Sequence, residues 1–136
     1  MSFLSILAIV LAVVAYGPYV WSVIRGRGRP NRASWAIFAA TGLFAAVSAW
    51  AGGSREGLWV PLVYGVLSTV VFILALRHGE GGWSLLDRGC LLTALLSVVA
   101  WGISGDHLVC VAMNAVADTA GTLPTIRKAW RAPRHE

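Results

Sequence analysis

The sequence predicts an all-α fold: a polytopic membrane bundle of five transmembrane helices. Three observations carry that prediction. Hydrophobic residues fill 57% of the 136 positions and charged residues only 12%, with a mean hydropathy of +0.71, which leaves far too little polar surface to cover a soluble domain of this size. Five uncharged or nearly uncharged runs, at 3–24, 33–51, 58–76, 89–105 and 108–126, are each about long enough to span a bilayer. If those runs cross it, ten of the eleven Lys and Arg residues fall on one side and only Arg55 on the other. The positive-inside rule then puts the amino terminus outside and the carboxyl terminus in the cytoplasm. The net charge of +5 is thereby a topology signal, and a nucleic-acid partner is not expected.

No Lys or Arg precedes the first run, and its apolar length exceeds the roughly 7 to 15 residues of a signal core, so it is expected to be a retained helix. It carries small residues at Ala8, Ala12 and Ala15 for close packing, then Tyr16, Tyr19 and Trp21 towards the basic end. Gly17-Pro18 is expected to break it shortly before the basic loop RGRGRPNR. The second run opens with Ser34-Trp35, an N-cap candidate and an interfacial aromatic, and shows Ala39, Gly42, Ala46 and Ala49 at helical spacing for tight packing. In the third run Pro61, Gly65 and Ser68 or Thr69 share a stripe with Tyr64 beside it. The glycine-rich segment 77–88 reads as a hinge, with a helix start at Ser84 to Asp87. The fourth run lines Gly89, Thr93, Ser97 and Ala100 along one side and reads as a packing or linker helix. Trp21, Trp35, Trp59, Trp83 and Trp130, near span ends, are expected to anchor at the interfaces, and so is Trp101.

The fifth run holds the only acidic residue within an apolar stretch, Asp118. It lies about eleven residues into the segment, which at about 1.5 Å per residue is about 17 Å deep, near the midplane. A carboxylate there costs about 2.5–3.5 kcal/mol on insertion scales, so it should face a cavity or another helix and not lipid. Asn114, Asp118, Gly121 and Thr125 fall on one helical face, where Gly121 admits a backbone or a ligand. Pro124 is expected to bend the helix. Asp118 is then either a substrate-binding or proton-coupling carboxylate, or a structural acceptor bonded across an interface to Thr93 or Tyr64. With no bundle mates for this face within the chain, the fifth helix is expected to pack against helices of another subunit or to exchange between two chains, giving a homodimer.

Cys90 and Cys110 begin successive antiparallel spans and should lie a bilayer apart, which forbids a disulfide. His78, His107 and His135 fall in loops or at helix ends, and no Cys or His pair has metal-ligand spacing, so neither a metal nor another cofactor is expected. An enzyme would need a nucleophile, a base and an oxyanion site together, and the apolar runs offer one carboxylate and no histidine.

The first and fifth runs share one plan, a proline in the last third and then basic residues: Gly17-Pro18-Tyr19-Val20 before Arg25, and Leu123-Pro124-Thr125-Ile126 before Arg127-Lys128. A parallel repeat would produce this. These two stretches, the turn Arg29-Pro30-Asn31-Arg32, Ser34-Trp35, Asp118 and Ala129-Trp130 make the chain resemble the PQ-loop superfamily, which includes the SWEET and SemiSWEET transporters, and small bacterial membrane proteins related to it. The unit of that superfamily is a three-helix bundle, and full-length members join two through a linker helix. The resemblance implies a first bundle at 1–78, a loop and linker helix at 79–105, and the first helix of a second repeat with a basic cytoplasmic tail at 106–136, the last two helices being absent. The Gln of the motif stands as Tyr19 and Thr125, and the polar Asn that sugar-carrying relatives place on the third helix has only Ser68 and Thr69 to correspond to it.

On this reading the chain is a multi-pass protein of the bacterial inner membrane, in contact with lipid, that carries a small polar solute by alternating access as an oligomer. Asp118, Asn114, Thr125, Tyr16, Tyr19 and Ser68 are the expected substrate-binding residues, and Pro18, Pro124, Gly17 and Gly121 the expected hinges. The competing reading is an accessory or structural membrane subunit without transport of its own.

Overall fold

The computed structural model describes residues 1–131; the tail beyond, with Arg134 and His135, lies outside them. Five helices follow in order: α1 (Phe3–Ile24), α2 (Arg32–Ala51), α3 (Arg55–His78), α4 (Leu85–Ser104) and α5 (His107–Arg131). Among the described residues, α1 to α4 are long and apolar enough to cross a membrane. At 25 residues α5 has the length, but Asn114, Asp118, Thr119, Thr122, Arg127 and Lys128 hold down its hydropathy and it is not one of the four.

Local chemistry sets the ends. The side chains of Ser2, Asn31 and Ser54 accept from the backbone N–H groups of Ser5, Ser34 and Gly57 at the starts of α1, α2 and α3, satisfying donors that a first helical turn leaves open. Ser34 is thus not the cap of α2. Asn31 is, seated by the buried Pro30 before it. Ser84 and Asp87 form a reciprocal capping box at the expected start of α4, and Gly105, at φ 62°, ends that helix in the left-handed conformation that glycine adopts without strain.

The helices pack in the order α1, α3, α2, with α4 and α5 together against the far side of α2. The tightest seam joins α2 to α3, where Gly42 and Gly65 face each other. A Cβ on Gly42 would fall 2.6 Å from the Gly65 Cα, and one on Gly65 would fall 2.5 Å from the Leu43 nitrogen. Backbones approach this closely only where both side chains are absent. A second core joins α2, α4 and α5 through Ile37, Cys90, Ala94, Ala117 and Ala120.

Several expectations are corrected. The expected break at Gly17-Pro18 does not occur, since α1 runs on through Pro18, and α5 likewise continues through Pro124. In apolar surroundings a continuous helix loses one hydrogen bond at proline, whereas a break leaves several backbone groups bare. On α4 the buried stripe is Asp87, Cys90, Ala94 and Ser97, while Gly89 is exposed; Thr93 turns its hydroxyl onto the Gly89 carbonyl instead of across the bundle. Finally, α5 has mates within the chain, since it packs on both α4 and α2.

The segment 79–84 is tied down and does not hang as a hinge. Arg32 donates to the carbonyls of Ala75, Gly79 and Gly81 at 3.1, 2.8 and 3.5 Å, so one guanidinium satisfies the bare end of α3. Glu80 exchanges backbone bonds with Pro30 and Arg32, and Asp87 accepts from Asn31 and from the backbones of Gly82 and Ser84.

A candidate polar groove between α1 and α5

Helix α2 runs antiparallel to both α3 and α5, and α1 runs parallel to α3, with Ser2 bonded to Glu56 at one end and Tyr16 to Ser68 further along. It follows that α1 and α5 point the same way, as the shared proline plan implies. Their backbones do not come into contact. Tyr16 on α1 and Asp118 on α5 come within electrostatic reach of each other across the α2–α3 pair, and the space between them is the candidate groove.

The α5 wall is fastened to α2 by three hydroxyl or thiol bonds. Thr125 donates to Ser34 at 2.8 Å, Thr41 to Asp118 at 2.6 Å and Cys110 to Ser48 at 3.3 Å. Their α2 partners, Ser34, Thr41 and Ser48, recur every seventh residue, the spacing that keeps one face of a helix against a neighbour. Between the Thr125–Ser34 and Thr41–Asp118 bonds Gly121 seats against Ile37 and Phe38, where a Cβ would come within 2.9 Å of the Ile37 side chain.

Thr41 is almost fully buried, 2% exposed, and its single hydroxyl proton has two acceptors in reach: its own Phe38 carbonyl at 3.3 Å and Asp118 Oδ1 at 2.6 Å. The shorter contact is in the range of a hydroxyl bonded to a carboxylate, the stronger kind of hydrogen bond. Asp118 is not sealed by this contact; it stays half-buried, within electrostatic reach of Tyr16 on α1 and Tyr64 on α3.

On the opposite wall Tyr16 shares a 3.0 Å hydroxyl bond with the fully buried Ser68. Tyr16 also meets the Trp35 ring edge-on at 5.8 Å, Tyr19 stacks on that ring at 5.3 Å, and Phe38 meets it edge-on at 5.6 Å. These are favourable aromatic geometries. Trp35 is therefore the hub of an aromatic cluster. Trp101 likewise packs edge-on against Phe44.

The structure thus brings Asp118, Tyr16, Tyr19 and Ser68 around one groove, with Thr125 at one end of the same seam. Asn114 stands apart: it lines a space of about 10 Å³ at the junction of α2, α4 and α5, together with Thr41, Ser97 and Cys110. That is room for no more than one water. Asp118 finds its acceptor role with Thr41, and neither Thr93 nor Tyr64 is its hydrogen-bond partner. Thr41 was the residue missing from the sequence reading, although the seven-residue recurrence of Ser34, Thr41 and Ser48 was there to be seen. Of the expected hinges, Gly17 is open to its surroundings, Gly121 is tightly packed, Pro18 is exposed and Pro124 buried.

Compared with models of known protein families, with curated proteins and with solved structures, the chain matches none.

Proposed function

We propose that this chain is a PQ-loop-like membrane transporter that moves a small polar solute by alternating access. The observation that carries the reading is the convergence of Thr41 with Asp118 and Tyr16 with Ser68 from four helices onto one groove in an otherwise apolar bundle. Polar groups inside a membrane are costly, and a set of them facing one another and not lipid suits a solute path. The aromatic cluster on Trp35 gives the groove an apolar floor against which a solute's carbon skeleton can lie.

In this proposal all five helices cross the bacterial inner membrane, amino terminus outside, and α5 crosses with its polar face turned to α2. Helices α1 and α5 rock on the α2–α3 pair about Pro18 and Pro124, Gly17 giving α1 freedom and Gly121 serving as the close contact on which α5 pivots. Helix α1 has no buried residue in its most apolar stretch and packs mainly on α3, with Tyr16 and Tyr19 against Trp35 of α2. A second copy of the chain, in a homodimer, covers the open side of the groove.

One observation favours the second reading, an accessory subunit. The Thr41–Asp118 bond is the middle of three bonds along one seam, which is also how two helices would be fastened permanently. Proteoliposomes offered a monosaccharide, a zwitterionic amino acid and a quaternary amine separate the two. Uptake of at least one above protein-free vesicles is expected; uptake of none favours the accessory subunit.

A further inference from the structure

At the basic end of the bundle a second cavity, of about 360 Å³, opens between the last two turns of α5 and the tied-down segment before α4. It shares no residue with the groove. Its α5 wall is Pro124, Arg127, Lys128 and Arg131, positions three, four and seven apart that share one helical face. The facing wall includes Asn31 and Ser84, with Glu80 and Asp87 as its acidic members.

The charges do not simply cancel. Asp87 is fully engaged, accepting from Asn31, Gly82 and Ser84. Glu80 is held between Lys128 at 3.4 Å and Arg29 at 3.6 Å, so its charge is met twice. Arg127 and Arg131 make no ion pair or hydrogen bond among the described residues, although both line the cavity. Two planar guanidinium groups four residues apart, with an ammonium between them, present a forked set of donors that suits the tetrahedral oxygens of a phosphate. The volume lies in the range of small-ligand pockets, and basic pockets between helices at a membrane boundary are where anionic headgroups are held.

From this geometry we infer that the α5 cavity binds a phosphate-bearing anion through Arg127 and Arg131, with Lys128 exchanging between Glu80 and the bound phosphate. The phosphate belongs either to a lipid headgroup or to a soluble molecule; the chemistry of recognition is the same. The inference does not depend on the transport reading, because it uses none of the groove residues.

The test uses the full chain in mild detergent and two probes: inorganic phosphate, by equilibrium dialysis, and dioctanoyl phosphatidate, by native mass spectrometry. Arg127→Gln with Arg131→Gln removes the proposed donors, while Arg77→Gln with Arg88→Gln removes the same charge from the same end of the molecule without touching the cavity. Binding of either probe by the unaltered protein, weakened about tenfold by the first pair and little by the second, is the expected result. Phosphatidate alone identifies a headgroup site, and phosphate alone a soluble ligand. Glu80→Gln, which leaves α5 untouched, should tighten binding about threefold or more by releasing Lys128. Binding of neither probe, equal weakening by both arginine pairs, or no change with Glu80→Gln would overturn the inference.

Discussion

Replacing Thr41 with valine keeps the shape of a side chain that is 2% exposed and removes one proton donor. No cavity opens, so the loss is that of the bond to Asp118. Neutral interhelical hydrogen bonds within membranes average about 0.6 kcal/mol. A bond to a charged group is worth about 1.5–3 kcal/mol, and the 2.6 Å separation belongs with the stronger kind. Asp118 would also be left without its hydroxyl partner, which adds a desolvation cost. Thr41→Val is therefore expected to destabilise the protein by about 1.5–3 kcal/mol, read as reversible unfolding in mixed micelles. The same change in an Asp118→Ala background should cost less than about 0.5 kcal/mol, because the pair would already be broken. A single variant within about 0.5 kcal/mol of the unaltered protein, or an undiminished loss in the double variant, would refute the claim that this bond fastens α5 to α2.

Three further outcomes are expected. Gly65→Ala places a Cβ against backbone on the facing helix, and since neither backbone can swing aside it should cost about 1–3 kcal/mol in the same unfolding assay; a neutral result would contradict the close α2–α3 seam. Asp87→Ala removes the acceptor for Asn31, Gly82 and Ser84 and should cost about 1–2 kcal/mol, with faster amide exchange at 79–87 as the local signature; exchange unchanged there would count against the clasp. A tag after Glu136 should be reachable only from the cytoplasm and one before Met1 only from outside; labelling of the carboxyl-terminal tag on intact cells would reverse the proposed orientation.

Helices were legible in the sequence because hydrophobic run length and capping residues act locally. The run 3–24 coincides with α1, the run 33–51 ends with α2, and the run 89–105 starts inside α4 and passes its end by one residue; the largest shortfalls come where Arg55, Arg88, Arg127, Lys128 and Arg131 are helical yet charged. The helix start at Ser84 to Asp87 was equally plain. Partner choice was not, because it depends on which small faces meet across space. Gly42 was read as a packing residue and Gly65 as part of a stripe, but nothing local says that they meet each other. Asp118 was found because a carboxylate in an apolar run stands out, whereas Thr41, a single hydroxyl in a run of alanines, became meaningful only when α5 was laid on α2. The cluster around Trp35 was hidden for a related reason: its position near a helix start suggested the interface, and nothing local says that Tyr16, Tyr19 and Phe38 gather around it.

The central claim, that the groove around Asp118 carries solute, is tested most directly by Asp118→Asn in proteoliposomes. Asparagine keeps the shape and can still accept from Thr41 while removing the charge, so folding should be preserved or slightly improved. The account predicts that a folded Asp118→Asn protein loses the solute uptake, or its pH dependence, that the unaltered protein shows. Uptake that is unaltered across the pH range would contradict it and leave Asp118 as a fastening residue of the α2–α5 seam.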